Sequence, residues 1–183
     1  MKHVRDLAGL ELTWVQPAAL KLDFELRDGD EVVATLRFRS TFGSFATVET
    51  ADGTWTFKRM GFFVTRVTIC PAGSDDAIAT FRNNTWSAGG TLELSGGREL
   101  HANSNFWGSR YEFKFGEEEF QVRFTRIRGA LHLSSTLEIS ADAATLPELP
   151  WLVALGWYLV VMMSSDAAAG AAGGGAAAAA AAG

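Results

Sequence analysis

Trp151-Leu-Val-Ala-Leu-Gly-Trp-Tyr-Leu-Val-Val-Met-Met163 is a run of thirteen apolar or small residues without a charge. As a helix it would be about 20 Å long at 1.5 Å per residue. A helix that is apolar all round offers no face to water and has to be covered. A bilayer span needs about 20 apolar residues, and this run is bounded by Glu148 and Ser164-Ser-Asp166. Lengthening it into the residues that follow would place Asp166 in hydrocarbon at considerable cost. An interfacial helix should carry a polar face, and this run has none. It is therefore read as a core helix, with membrane anchoring and docking onto a partner as the competing readings. Pro150 suits the first helical position, while Pro147 and Pro150 keep a regular helix from crossing Glu148-Leu149. The helix is expected over about 150–164.

Nearly everything ahead of it reads as strand and turn. In Leu20-Lys-Leu-Asp-Phe-Glu-Leu26 the apolar residues face one way and Lys21, Asp23 and Glu25 the other. The same alternation recurs in Thr54-Trp-Thr-Phe-Lys58, Gln121-Val-Arg-Phe124 and Leu137-Glu-Ile139, as expected of antiparallel sheet with one wet face. Twelve strands are expected: 11–15, 20–27, 31–39, 45–50, 54–59, 64–70, 77–82, 90–95, 98–103, 107–115, 119–125 and 130–139. Asp28-Gly29, Asp52-Gly53 and Gly96-Gly97 read as type I′ hairpin dipeptides. An internal repeat supports a duplicated β-unit and a pseudo-symmetric barrel. Phe38-Arg39 matches Phe81-Arg82, Glu49 with Gly53 matches Glu93 with Gly97, and Phe62 and Arg66 match Phe106 and Arg110, at offsets of 43 to 44 residues.

Twelve strands, repeated Asp-Gly hairpins and a terminal apolar helix, over roughly residues 10–164, resemble the tubby C-terminal-like superfamily. That superfamily includes tubby domains, LURP-one-related proteins and phospholipid scramblases. Phe38-Arg39 through Asp52-Gly53 and Phe81-Arg82 through Gly96-Gly97 look like the strand–turn–strand units of LURP-one-related proteins. The resemblance implies a mainly β fold: a twelve-stranded antiparallel closed barrel with a C-terminal hydrophobic helix buried in its centre. No tubby phosphoinositide motif or scramblase calcium motif matches residue by residue, so no site is carried over. Residues 1–166 are expected to form one barrel domain. Residues 167–183, only Ala and Gly, are expected to be a disordered or frayed tail.

The net charge of −5 on 183 residues argues against general nucleic-acid binding, which needs a basic surface. Cys70 is the only cysteine, so neither an intrachain disulfide nor a cysteine zinc cluster can form. The opening Met1-Lys-His-Val-Arg-Asp-Leu7 lacks the apolar core of a secretory signal, so a cytoplasmic setting is expected. His3, His101 and His132 show no metal-ligand spacing. Ser95 and Ser109 lack a Gly-x-Ser-x-Gly context, and Gly89-Gly90 and Gly96-Gly97 precede no helix that could cradle phosphate. Glu117-Glu-Glu119 reads as a solvated hairpin tip. The expectation is a non-enzymatic protein with no catalytic residue, cofactor or metal.

Two basic groups remain. Arg37, Arg39, Lys58, Arg59 and Arg66 form one; Arg123, Arg126 and Arg128 form the other. If barrel closure brings them together, they make an anion patch whose natural ligand is an anionic headgroup, each base adding about 1 kcal/mol at a charged membrane. The competing reading is cross-strand pairing with the glutamates. Phe42, Phe45, Phe62, Phe63, Trp86, Phe106 and Trp107 fall near turns and read either as interface rings or as packing. The leading expectation is a cytoplasmic binding module, peripheral to the membrane through anionic phospholipid headgroups. The alternative is a structural or protein-interaction domain with no small ligand. A lipocalin-like store needs an empty lumen, which a central helix would occupy.

Overall fold

The alternating segments form twelve antiparallel strands. They are β1 (Glu11–Val15), β2 (Asp23–Asp28), β3 (Glu31–Phe38), β4 (Ala46–Thr50), β5 (Gly53–Met60), β6 (Arg66–Pro71), β7 (Ala79–Asn83), β8 (Gly89–Leu94), β9 (Glu99–Ser104), β10 (Tyr111–Lys114), β11 (Phe120–Arg128) and β12 (Ser134–Ile139), followed by the helix α1 (Leu149–Ala180). This computed structural model describes residues 1–180 except 20, 42, 62–64, 85–88, 106–107, 118 and 130–131, and describes 171–180 as backbone only. Each strand pairs with its sequence neighbours, and β1 pairs with β12 to close the barrel. Closure leaves no unpaired edge. Every expected strand is present. The described strands β2, β6, β10 and β12 begin at Asp23, Arg66, Tyr111 and Ser134, and the expected starts at 20, 64, 107 and 130 lie outside the described residues.

In an up-and-down barrel the connections fall alternately at the two ends. Those joining β1 to β2, β3 to β4, and so on to β11 and β12 lie at one end, here called the mouth. The others lie at the opposite end, where the chain also enters β1 and leaves β12. The entry end is closed by two 3-10 turns, Val4–Leu7 and Asp142–Thr145, which bury Val4, Leu7 and Ala143. Sequence reasoning assigned no element to residues 1–10. The apolar pair one 3-10 turn apart, Val4 and Leu7, is the signal that was there.

From the entry end, α1 runs along the barrel axis, and Leu149 to Met162 are buried throughout. Trp157 stacks on Trp14 of β1 at 6.0 Å and 9°, meets Phe24 edge-on at 5.7 Å, and lies 6.5 Å from Phe124. Neither indole N–H has an acceptor among the described residues, so packing and stacking hold this pair. Tyr158 stacks on Phe38 at 5.3 Å and donates its hydroxyl to the Ser44 carbonyl at 2.6 Å. Gly156 is required: a Cβ there would collide with the Phe124 ring. The core reading of the helix thus holds, and the strands' inward residues are its packing partners.

The helix does not end at 164 as expected. It continues past the expected domain limit at 166 to Ala180. Ser164 and Ser165 bond back to the Val160 and Val161 carbonyls at 2.9 and 3.0 Å, and alanine has the highest helix propensity of any residue. The hairpin dipeptides also need correcting. Gly96 and Gly97 both take left-handed φ, 75° and 74°, but within a three-residue connection between Leu94 and Arg98. In the other two hairpins the registers Asp28↔Glu31 and Thr50↔Gly53 make the central pairs Gly29-Asp30 and Ala51-Asp52, one position from the expected ones. The repeat offset corresponds to four strands. Phe38-Arg39 at the end of β3 maps onto Phe81-Arg82 in β7, and Glu49 of β4 onto Glu93 of β8. The matched Phe62 and Phe106 lie outside the described residues.

Candidate anion-binding site

Strand alternation decides which way each basic side chain points. In β3, Leu36 and Phe38 are buried inward, so Arg37 and Arg39 face out. In β5, Phe57 faces in and Lys58 out, and Arg59 returns to the inner side. There Arg59 donates to both carboxylate oxygens of Asp166 on α1, at 2.6 and 3.1 Å. Hydrogen bonding to Asp166 holds its pKa above the ordinary arginine value. Arg59 therefore clasps the helix at the mouth and is not part of an outer patch. Arg37 is also tied, bonding Glu49 of the adjacent strand at 3.3 Å.

Arg39, Lys58 and Arg66 have no acidic partner among the described residues. Arg39 lies over the Phe45 ring at 5.6 Å, and Phe45 precedes Ala46, whose register partner is Phe57, so it falls beside Lys58. Lys58 pairs with Thr68 on β6, and Arg66 stands directly across from Arg82 on β7. Two arginines in opposed positions repel each other, a cost that cross-strand pairing normally avoids. Arg82 is held by Glu93 at 2.9 Å, which marks the far border of the group. Thr47, Thr56, Thr68 and Thr80 occupy outward positions among these bases. Arg39, Lys58, Arg66 and Arg82 thus form a basic strip across β3 to β7, about 20 Å wide at 4.8 Å per strand. Beside it Met60 is exposed, the register neighbour of Arg66.

Closure does not bring the second group to this strip. β11 is separated from β3 by β2, β1 and β12, and from β6 by β7 to β10. Arg123 is engaged in structure: it donates to Glu112 at 3.0 Å, lies 3.8 Å from Glu138 and stacks over Phe120 at 3.5 Å. Glu112 also meets Lys114 at 3.0 Å and Arg110 at 3.8 Å. Burial pushes the Glu112 carboxyl up, but the hydrogen bonds from Lys114 and Arg123 and the charge of Arg110 outweigh it and leave it below the ordinary value. Arg126 reaches Glu11 at 3.5 Å from a β-bulge where its φ is 51°, and Arg128 is exposed at the rim of the mouth. The two basic groups therefore do not join into one patch. Three of their members, Arg39, Lys58 and Arg66, gather in one strip; Arg37, Arg59, Arg123 and Arg126 are ion-paired; Arg128 stands apart.

Arg82 is the member that sequence reasoning missed. Its signal was the Phe81-Arg82 repeat of Phe38-Arg39, which puts an outward arginine after an inward phenylalanine in both units. Of the turn aromatics, Phe45 is half-buried beneath Arg39. Phe42, Phe62, Phe63, Trp86, Phe106 and Trp107 lie outside the described residues. Cys70 lies one residue before the end of β6, and burial pushes its thiol pKa up, away from nucleophilic use. His132 precedes β12 and is not a strand residue; its Nδ1 lies 3.3 Å from the Gln16 carbonyl oxygen. No family model matches the chain, and searches of curated proteins and of solved structures find no match either.

Proposed function

We propose that this chain is a non-enzymatic, tubby-like binding module that associates peripherally with anionic phospholipid headgroups at a cytoplasmic membrane surface. One observation carries the reading. On a chain of net charge −5, Arg39, Lys58 and Arg66 project outward without an acidic partner among the described residues, and Arg66 faces Arg82 across a strand pair. Glu93 offsets Arg82 alone, and an anionic ligand would offset the like charge that remains on Arg39, Lys58 and Arg66. Planar guanidinium groups suit phosphate oxygens, and the neighbouring threonine hydroxyls and exposed Met60 suit the polar–apolar boundary of a bilayer. Support for the tubby-like part is architectural: a closed twelve-stranded barrel around a hydrophobic helix.

Arg39, Lys58 and Arg66, at about 1 kcal/mol each, give a partition advantage of about 150-fold on anionic vesicles. Co-sedimentation with phosphatidylserine-containing against phosphatidylcholine vesicles tests this. Arg66→Glu removes one attraction and adds one repulsion, about 2 kcal/mol or about thirtyfold. Arg5→Glu, at the entry end of the barrel, should change binding far less. Equal pelleting with neutral and anionic vesicles, or equal loss in the two variants, would refute the proposal.

A further inference from the structure

The charges of this protein are sorted along the barrel axis. At the mouth, the six connections 16–22, 39–45, 61–65, 84–88, 105–110 and 129–133 carry Lys21, Arg39 and Arg110 and contain no aspartate or glutamate. At the entry end, residues 1–10 and the connections 29–30, 51–52, 72–78, 95–98, 115–119 and 140–148 carry ten acidic residues against three bases, Lys2, Arg5 and Arg98. On the strands, Arg37, Lys58, Arg66, Arg82, Arg126 and Arg128 lie within three residues of a mouth connection and outnumber the acids placed as near, Asp23, Glu25 and Glu112. The one acidic side chain that α1 brings to this end, Asp166, is neutralised by Arg59. Beyond that pair, Ala167 to Gly170 leave the barrel as exposed helix.

We infer that the barrel docks end-on, with its mouth against an anionic bilayer and its acidic entry end turned to the cytoplasm. The inference rests on the headgroup-binding reading and adds the orientation and the contacting end. Complementary charge selects the occupant. A bilayer is an extended anionic surface that attracts the bases around the mouth together, and the same field repels the acidic end, so both ends favour one orientation. Docking in this sense also directs the uncharged Ala/Gly continuation of α1 toward lipid, where no ionisable side chain opposes it.

Single cysteines in a Cys70→Ser background read the orientation in the full-length chain. Thr41→Cys reports the mouth, Ala168→Cys the emerging helix and Ala72→Cys the entry end; all three positions are exposed. Each is labelled with an environment-sensitive fluorophore and mixed with phosphatidylserine-containing vesicles, with and without brominated acyl chains. The expected result is a blue shift and bromine quenching at 41 and 168, with emission at 72 unchanged. Vesicle binding accompanied by quenching at 72, or by silence at 41, would overturn end-on docking and leave headgroup binding intact. Failure of all three proteins to co-sediment with the vesicles would instead overturn the headgroup reading, and the orientation with it.

Discussion

Replacing Gly156 by alanine adds one methyl group where the helix faces the Phe124 and Phe113 rings of the barrel wall. That carbon would fall closest to Cε2 of Phe124, 2.5 Å from its Cζ and 3.1 Å from Cε2 of Phe113. Carbon atoms settle about 3.5–4.0 Å apart, so the Phe124 ring would have to retreat by about 1 Å. It has little room to do so, being fully buried with Trp157 stacked against it. Overpacking of this kind costs about 1–3 kcal/mol, while alanine returns about 1 kcal/mol of helix propensity. With the ring confined, the cost dominates, and a net loss of about 1–2 kcal/mol is expected. For a domain of this size that lowers Tm by about 2–8 °C. Gly170→Ala is the matched control: its Cβ meets nothing within 4 Å, and stability should stay within about 0.5 kcal/mol of wild type. Urea titrations followed by tryptophan fluorescence measure both. Phe124→Leu in the same molecule should recover about 1 kcal/mol or more relative to the sum of the single changes. A stabilising Gly156→Ala, or strict additivity with Phe124→Leu, would refute the seating of the helix in this register.

Two further expectations concern hydrogen bonds and their pH dependence. Tyr158→Phe removes the bond to the Ser44 carbonyl and should cost about 1 kcal/mol by chemical denaturation. Burial pushes the Tyr158 hydroxyl up to about 12, above the ordinary value of 10. Its contribution is therefore complete below pH about 10 and is lost as pH rises through about 12, and the Phe variant should show a shallower alkaline decline. Glu112→Gln leaves Arg110, Lys114 and Arg123 converging on a neutral amide and should cost about 1–2 kcal/mol at pH 7. Because the folded carboxyl titrates below its unfolded value, its contribution is present above pH about 4.3 and lost as pH falls through the folded value, so variant and wild type should converge in acid. Divergence there would contradict the assignment.

Strands were legible because one face of each is wet: Leu-x-Phe-x-Leu in β2 and Phe57 between Thr56 and Lys58 in β5 announce both strand and facing. The helix was legible because no polar face interrupts Trp151 to Met163. Its continuation was not, since the choice between helix and fray in an Ala/Gly run rests on small propensity differences. The basic site was half legible. Residue type and outward facing can be read for Arg39, Lys58 and Arg66, but the partner of each base depends on register, which is set across connections of unequal length. Alternation from Phe57 already turns Arg59 inward; that it finds Asp166 depends on how far α1 advances through the barrel. Arg66 and Arg82 become neighbours only through the β6–β7 register, sixteen residues apart in sequence. The separation of Arg123 from the first strip follows from counting strands around a closed ring, which requires closure to be known.

Equilibrium binding to vesicles of rising phosphatidylserine content, comparing wild type with the Arg39→Glu, Lys58→Glu, Arg66→Glu and Arg82→Glu combination, tests the central claim most directly. Wild-type affinity should climb steeply with anionic fraction and collapse in high salt, and a folded quadruple variant should not bind at any composition. Wild-type binding indifferent to anionic fraction, or a folded quadruple variant binding as well as wild type, would contradict that claim.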